Sequence, residues 1–197
     1  MNKTSMNRLK KELAIRIEAL PTLKAKETAL RVEVKKVKEI LEKIQFEKEQ
    51  LIESQKMNYE IWMEYPSVLS IQEIIIDTKN IAGVKIPILN KIVFNIRDYS
   101  LFSNRAWVPG ATEFLKKLTE TSILFQLTVK EMEILQYARK KTTQKVNLYE
   151  KVQIPEFNDA IGKITRFLED EENLSRSAQK IIKARQERES QEPQEAA

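Results

Sequence analysis

The residues with chemical potential are cations, carboxylates and a pair of hydroxyls. Arg139-Lys140-Lys141 with Lys145, and Lys24 with Lys26, could seat an acidic surface or a phosphate; at this spacing a solvated helix face is the better reading. Thr142-Thr143 could hold phosphate, but no glycine-rich loop precedes them, so they read as helix-surface hydroxyls. Glu169-Asp170-Glu171-Glu172 could bind a divalent cation. Consecutive carboxylates splay around a helix, however, and a solvated acidic turn is the better reading. The chain contains no Cys and no His. Disulfides and thiolate sites are thereby excluded, and the commonest general base and metal ligand are missing. No nucleophile–base set can be assembled beyond generic Ser, Lys and carboxylates. The expected class is a non-catalytic protein with no cofactor and no metal site.

The elements that carry these residues are helices. Charged residues make up 32% of the chain and there are only 3 Gly, a profile of long helices. The net charge of +5 is spread with the signs interspersed, whereas a nucleic-acid binder concentrates its cations on one stripe. No apolar run is long enough to cross a bilayer, and the charged start lacks the apolar core of a secretory signal. The chain is expected in the cytoplasm unless a partner holds it at a membrane.

Gly and Pro, the helix breakers, divide the sequence. Residues 1–65 read as one helix, 66–111 as an insert of short strands and turns, 112–187 as a second long helix, and 188–197 as a frayed tail. In the first helix an alternating 4-then-3 spacing runs Leu9, Leu13, Arg16, Leu20, Leu23, Glu27, Leu30, Val34, Val37, Leu41, Ile44, Lys48, Leu51. Ten of these thirteen positions are apolar, which marks a coiled-coil seam, and a period of 3.5 predicts a left-handed supercoil. From Leu9 to Tyr65 such a helix would be roughly 80 Å long, more than a small core can cover, so it needs a partner helix.

The last segment supplies that partner with a less regular stripe: Ile134, Ala138, Leu148 and Val152, then Phe157, Ile161, Ile164 and Leu168, fading to Ala178 and Ile182. Pro155 marks either a bend or a boundary between two helices, and Pro21 offers the same choice in the first helix. In the middle, Ile74-Ile75-Ile76, Ala82 to Ile88 and Ile92-Val93-Phe94 are β-branched runs broken by Gly83 and Pro87, which predict a short β-hairpin. Tyr59, Trp62 and Tyr65 are placed to pack this insert on the helices. Val108-Pro109-Gly110 reads as a turn, with helix restarting near Thr112. The fold class is mainly α: a long antiparallel two-helix left-handed coiled coil with a short central β-hairpin. Pairing within the chain is favoured over a parallel dimer because the helices match in length and the insert can turn the chain.

Three ordered stretches resemble the D subunit, the central rotor shaft, of the V-type and A/V-type rotary ATPases. Lys141-Thr142-Thr143-Gln144-Lys145-Val146-Asn147-Leu148-Tyr149-Glu150, followed by Ile154-Pro155, is similar to that family's Lys-x-Thr, basic pair, Val-Asn-Ala-Leu-Glu and Ile-Pro pattern. Lys180 and Lys183 fall at its basic positions near the end. Leu23-Lys24-Ala25-Lys26 resembles the Leu-Lys-x-Lys of the first helix, and Ala82-Gly83-Val84-Lys85-Ile86-Pro87 the central Ala-Gly-Val-x-x-Pro. The sequence departs from the pattern at Pro21, Gln144, Leu148-Tyr149 and Ser177-Ala178.

The resemblance implies a non-catalytic shaft on the cytoplasmic face of a membrane. Its paired helix tips enter a catalytic hexamer of A and B subunits. Its other end meets the small F subunit and a funnel-shaped adaptor on the membrane ring, without insertion into the bilayer and without nucleic acid. Lys24, Lys26, Gly83, Val84, Pro87, Lys141, Lys145, Asn147, Pro155, Lys180 and Lys183 are the implied partner contacts. The seam is carried by Leu20, Leu23, Leu30, Val34, Val37, Leu41, Ile44 and Leu51 on one helix and by Ile161, Ile164 and Leu168 on the other. The competing expectations are a coiled-coil scaffold unrelated to ATPases and a helix that binds anionic membranes or nucleic acid with steep salt dependence.

Overall fold

A computed structural model of the chain describes residues 2–55, 62–98 and 106–191. It is mainly helical, with one β-hairpin in the middle. Helix α1 spans Lys3–Glu53, strands β1 and β2 span Leu69–Ile81 and Val84–Ile96, and helix α2 spans Val108–Leu148. A π-helical turn, Tyr149–Gln153, then leads directly into helix α3, Ile154–Gln191. The residues gather into two compact units. One combines the chain up to Lys24 with the chain from Gln144 onward; the other runs from Ala25 to Thr143.

Within each unit the helices run antiparallel. In the first, Met6 meets Thr165, Arg16 meets Gln153 and Lys24 meets Glu150, so one number rises as the other falls. In the second, Glu27 meets Arg139 and Thr143, while Lys48 lies over Phe125. All thirteen positions of the spacing that starts at Leu9 are buried or half-buried, and Leu30, Val34, Val37 and Ile44 are the fully buried ones. Pro21 does not break α1. It lies exposed between half-buried Leu20 and Leu23, whose packing offsets the lost backbone hydrogen bond.

Several expected boundaries and positions differ. Helix α1 ends at Glu53, short of Tyr65. Helix α2 begins at Val108 because Pro109 fits a first helical turn, where its missing N–H has no acceptor to lose, and because Val108 is buried. Helix α3 continues to Gln191, past the expected start of a tail. The stripe Ile134, Leu148, Val152 is displaced: these side chains are 37%, 44% and 41% exposed, while Leu135, Thr142 and Val146 are buried. The hairpin is longer than expected, with 13 residues in each strand. Its two-residue loop, Ala82-Gly83, has φ of 49° and 77°, the left-handed pair that matches the twist of antiparallel strands. Ala82 carries a strain of about 1–2 kcal/mol there, which Gly83 escapes.

The hairpin folds back on the helices of its own unit. Ile86 is buried against Leu30, Val34, Val37 and Leu135, with Ile81, Val84, Met132 and Ala138 packed around them. At its base Val68 is buried and Arg97 N–H bonds the Val68 carbonyl. Trp62 lies 5.3 Å from Phe114 and 6.5 Å from Trp107, and the Tyr65 and Thr112 hydroxyls are 2.9 Å apart. Tyr59 lies outside the described residues.

Candidate partner-binding surfaces

In the unit that holds both chain ends, Arg16 occupies a seam position. Its Nε donates to Gln153 Oε1 at 2.7 Å, its Nη1 donates to the Glu12 carbonyl at 2.9 Å, and its guanidinium lies 4.6 Å from the Phe157 ring centroid. A planar, permanently charged group thus bridges α1 and the π-turn without leaving a donor buried and unpaired. The turn itself widens the helix: Ile154 N–H bonds the Tyr149 carbonyl, five residues back. Pro155 comes next, with the wide turn making room for its ring and for its missing donor. The expected bend or boundary at Pro155 is therefore a local change of helical pitch.

Every described side chain of α3 from Glu169 to Arg188 is exposed. Phe167, Leu174 and Ile181 nevertheless recur every seven residues, with Ala178 and Ile182 beside the last two, and Leu174 and Ile181 are 73% and 65% exposed. Lys180 and Lys183 lie on this extension. Exposed apolar residues at heptad spacing form a seam that no described residue covers. Glu169, Asp170, Glu171 and Glu172 are exposed here, and Glu172 pairs with Arg176 at 2.6 Å.

The other expected contact residues fall into two groups. Lys24 pairs with Glu150 at 2.7 Å, Lys145 lies over the Tyr149 ring, Lys141 over the Tyr137 ring, and Asn147 is exposed. These are exposed cations and an exposed amide. Gly83, Val84 and Pro87 belong instead to the docked hairpin, and Lys26 of α1 lies beside its turn. The Lys26 ammonium lies 3.3 Å from where a Cβ on Gly83 would stand, and Val84 packs on the buried cluster. Of the seam residues on α3, Ile164 is buried and Ile161 and Leu168 are half-buried.

One carboxylate beside the hairpin has a distinct electrostatic setting. Burial pushes the Glu131 carboxyl above the ordinary carboxylate range, Lys79 of β1 opposes this, and Glu33 of α1 adds to it. A carboxyl whose folded pKa is raised favours folding when protonated. That contribution is complete below the unfolded value, about 4.3, and is lost as pH rises through the folded one. Glu131→Gln is therefore expected to raise the melting temperature at pH 7. The gain should vanish at pH 4, as thermal melts at the two pH values would report.

One unit is an antiparallel helix pair with a docked β-hairpin, and the other an antiparallel helix pair whose α3 end is exposed and apolar at heptad spacing among the described residues, a helical-pair architecture. Comparison with known proteins makes the class specific. The sequence profile of the ATP synthase D subunit matches residues 5–184, so the chain belongs to the ATP synthase D-subunit family. It is 28% identical to the V-type ATP synthase D subunit of Borreliella burgdorferi over 193 residues, 93% of each chain. It is 29% identical to that of Chlamydia abortus over 170 residues, 83% of this chain and 82% of the other.

Proposed function

We propose that this chain is the central shaft of a V-type ATP synthase. In this role it couples nucleotide turnover in a hexameric catalytic head to rotation of a membrane ring and transport of protons or sodium ions. The observation that carries the reading is the end of α3, where an apolar heptad stripe lies exposed among the described residues. Such a stripe suits insertion into a ring of subunits that supplies the missing apolar wall. The mixed-charge surface suits a part that must slide past each face, because exposed ion pairs contribute less than about 1 kcal/mol each. An antiparallel helix pair also presents a different face to each catalytic interface. The small F subunit and a funnel-shaped adaptor would take the unit that carries the hairpin insert. The chain would then sit peripherally on the cytoplasmic face; among the described residues no helix is long and apolar enough to cross a membrane.

The test is reconstitution with a catalytic head of A and B subunits. The full chain should bind the head and couple hydrolysis to rotation. Leu174→Gln should weaken binding about tenfold to a hundredfold, because burying one leucine contributes about 1.5–3 kcal/mol. A chain that fails to bind the assembled head, or a variant that binds as well as the parent, would sink the reading.

A further inference from the structure

The hairpin has one guarded strand and one open strand. Strand β2 lies toward the helices, with Val84, Ile86, Leu89 and Ile92 buried or half-buried, and it carries Pro87, Lys85 and Lys91. Proline, lysine and bulges are the devices that keep a strand edge from pairing. Strand β1 is different. Every residue from Ser70 to Asn80 is exposed, and the sheet among the described residues consists of β1 and β2 alone. Past a bulge at Gln72, the stretch Glu73–Thr78 has no proline and no lysine; the register shift between Ile75 and Ile76 is taken up by an extra residue, Asn90, on β2, and Ile74, Ile75 and Ile76 are a third to a half exposed. Its outer row of backbone groups therefore faces solvent beside apolar side chains on both faces.

We propose that β1 is a strand-addition site for another protein chain, and that the occupant is an extended, β-branched segment with Lys or Arg at alternate positions. Backbone hydrogen bonds would give the affinity and alternate side chains the selectivity. Charge selects the occupant. Glu73 and Asp77 are the acidic side chains of the open stretch. Asp77 already accepts a hydrogen bond from Asn90 at 2.7 Å, which holds its carboxylate at the strand. Cations across from these two positions gain the cross-strand pairing that like charges would lose. The same charges disfavour a second copy of this chain, because the antiparallel register that stacks the three isoleucines on themselves sets Glu73 opposite Asp77.

The experiment uses the full chain and two blocked peptides, one alternating Lys with Val and one alternating Glu with Val, with backbone hydrogen exchange as the readout. At about ten times its dissociation constant the Lys–Val peptide should slow exchange within residues 73–78 about tenfold. The Glu–Val peptide should leave exchange there unchanged. Glu73→Lys with Asp77→Lys should invert the preference. Glu73→Gln with Asp77→Asn, the variant least able to disturb folding, should abolish it. No protection of β1 by the Lys–Val peptide would overturn the proposal, and so would equal protection by both peptides or a preference that survives these substitutions.

Discussion

Leu135→Ala should destabilise the protein by about 3–5 kcal/mol, at the upper end of the range for leucine truncation in a core. Leu135 is fully buried, and its neighbours come from two elements: Leu30, Val34 and Val37 of α1, and Ile86 of β2. The cost depends on whether those neighbours can collapse into the space left behind. Val34 and Val37 are β-branched and held to one rotamer in a helix, so they cannot reach into it. Leu30 is itself fully buried and fixed by the same contacts. The cavity therefore persists, and its cost adds to the lost transfer energy. In a chain of this length the melting temperature should fall by about 10 °C. A fall of about 2 °C or less would mean that the helices can close around the missing side chain.

Ile86→Ala removes a side chain that is 1% exposed in the same cluster, yet its consequence should differ in kind. Ile86 belongs to a hairpin that rejoins the chain only at its base. When the tip loses its anchor, the hairpin can lift while the helix pair stays folded, so the loss of global stability is limited to the free energy of docking. Hydrogen exchange should quicken across β1 and β2 with little change at Val34, Val37 and Leu135. Comparing the two variants separates the cooperative units. If Ile86→Ala lowers the melting temperature as far as Leu135→Ala, hairpin and helices melt as one.

That difference also explains which parts of the fold the sequence discloses. The α1 seam is legible because its pattern is local: charged flanks and apolar steps of four and three continue through thirteen positions with three polar exceptions. The polar exceptions are structural as well, since Arg16 clamps the π-turn and Glu27 bonds Thr143. The hairpin turn is legible from Ala82-Gly83, but the docking of its tip is not. Ile86 and Ile88 look alike in sequence, and only the helix surface beneath makes one buried and leaves the other exposed. The partner helix misleads because its seam contains Arg139, Thr142 and Gln153. Thr142 satisfies its own hydroxyl on the Ala138 carbonyl at 2.9 Å, so a buried polar residue costs little there. The exposed end of α3 cannot be told from a packed one in sequence, because heptad spacing is indifferent to whether a partner exists.

The second reason for the misleading seam yields the other large effect. Leu135, Thr142 and Tyr149 recur every seven residues, and so do Phe157 and Ile164, but Tyr149 to Phe157 is a step of eight. One extra residue separates two regular patterns, and the π-helical turn Tyr149–Gln153 lies in that step. A π-turn absorbs one residue without rotating the helix beyond it, so it keeps Phe157 and Ile164 on the seam. Removing exposed Val152 should therefore turn the π-turn into ordinary α-helix and leave the downstream packing in phase. The obstacle is Pro155, whose ring would then meet the carbonyl of Glu150 in a regular helix, at a cost of about 3 kcal/mol. Deletion of Val152 alone should be destabilising by about that amount, and the same deletion with Pro155→Ala should restore parental stability. Deletion of exposed Lys163 provides the contrast. It rotates Ile164 and Leu168 by about 100° off the seam, a loss of about 3–5 kcal/mol that no proline substitution repairs. Since the chain has no native cysteine, Met6→Cys with Thr165→Cys gives a clean register probe across a 3.6 Å contact. The cross-link should form in the Val152 deletion that carries Pro155→Ala and fail in the Lys163 deletion. Its loss in the first would show that the residue absorbed by the turn is not the one that keeps the two seam segments in phase.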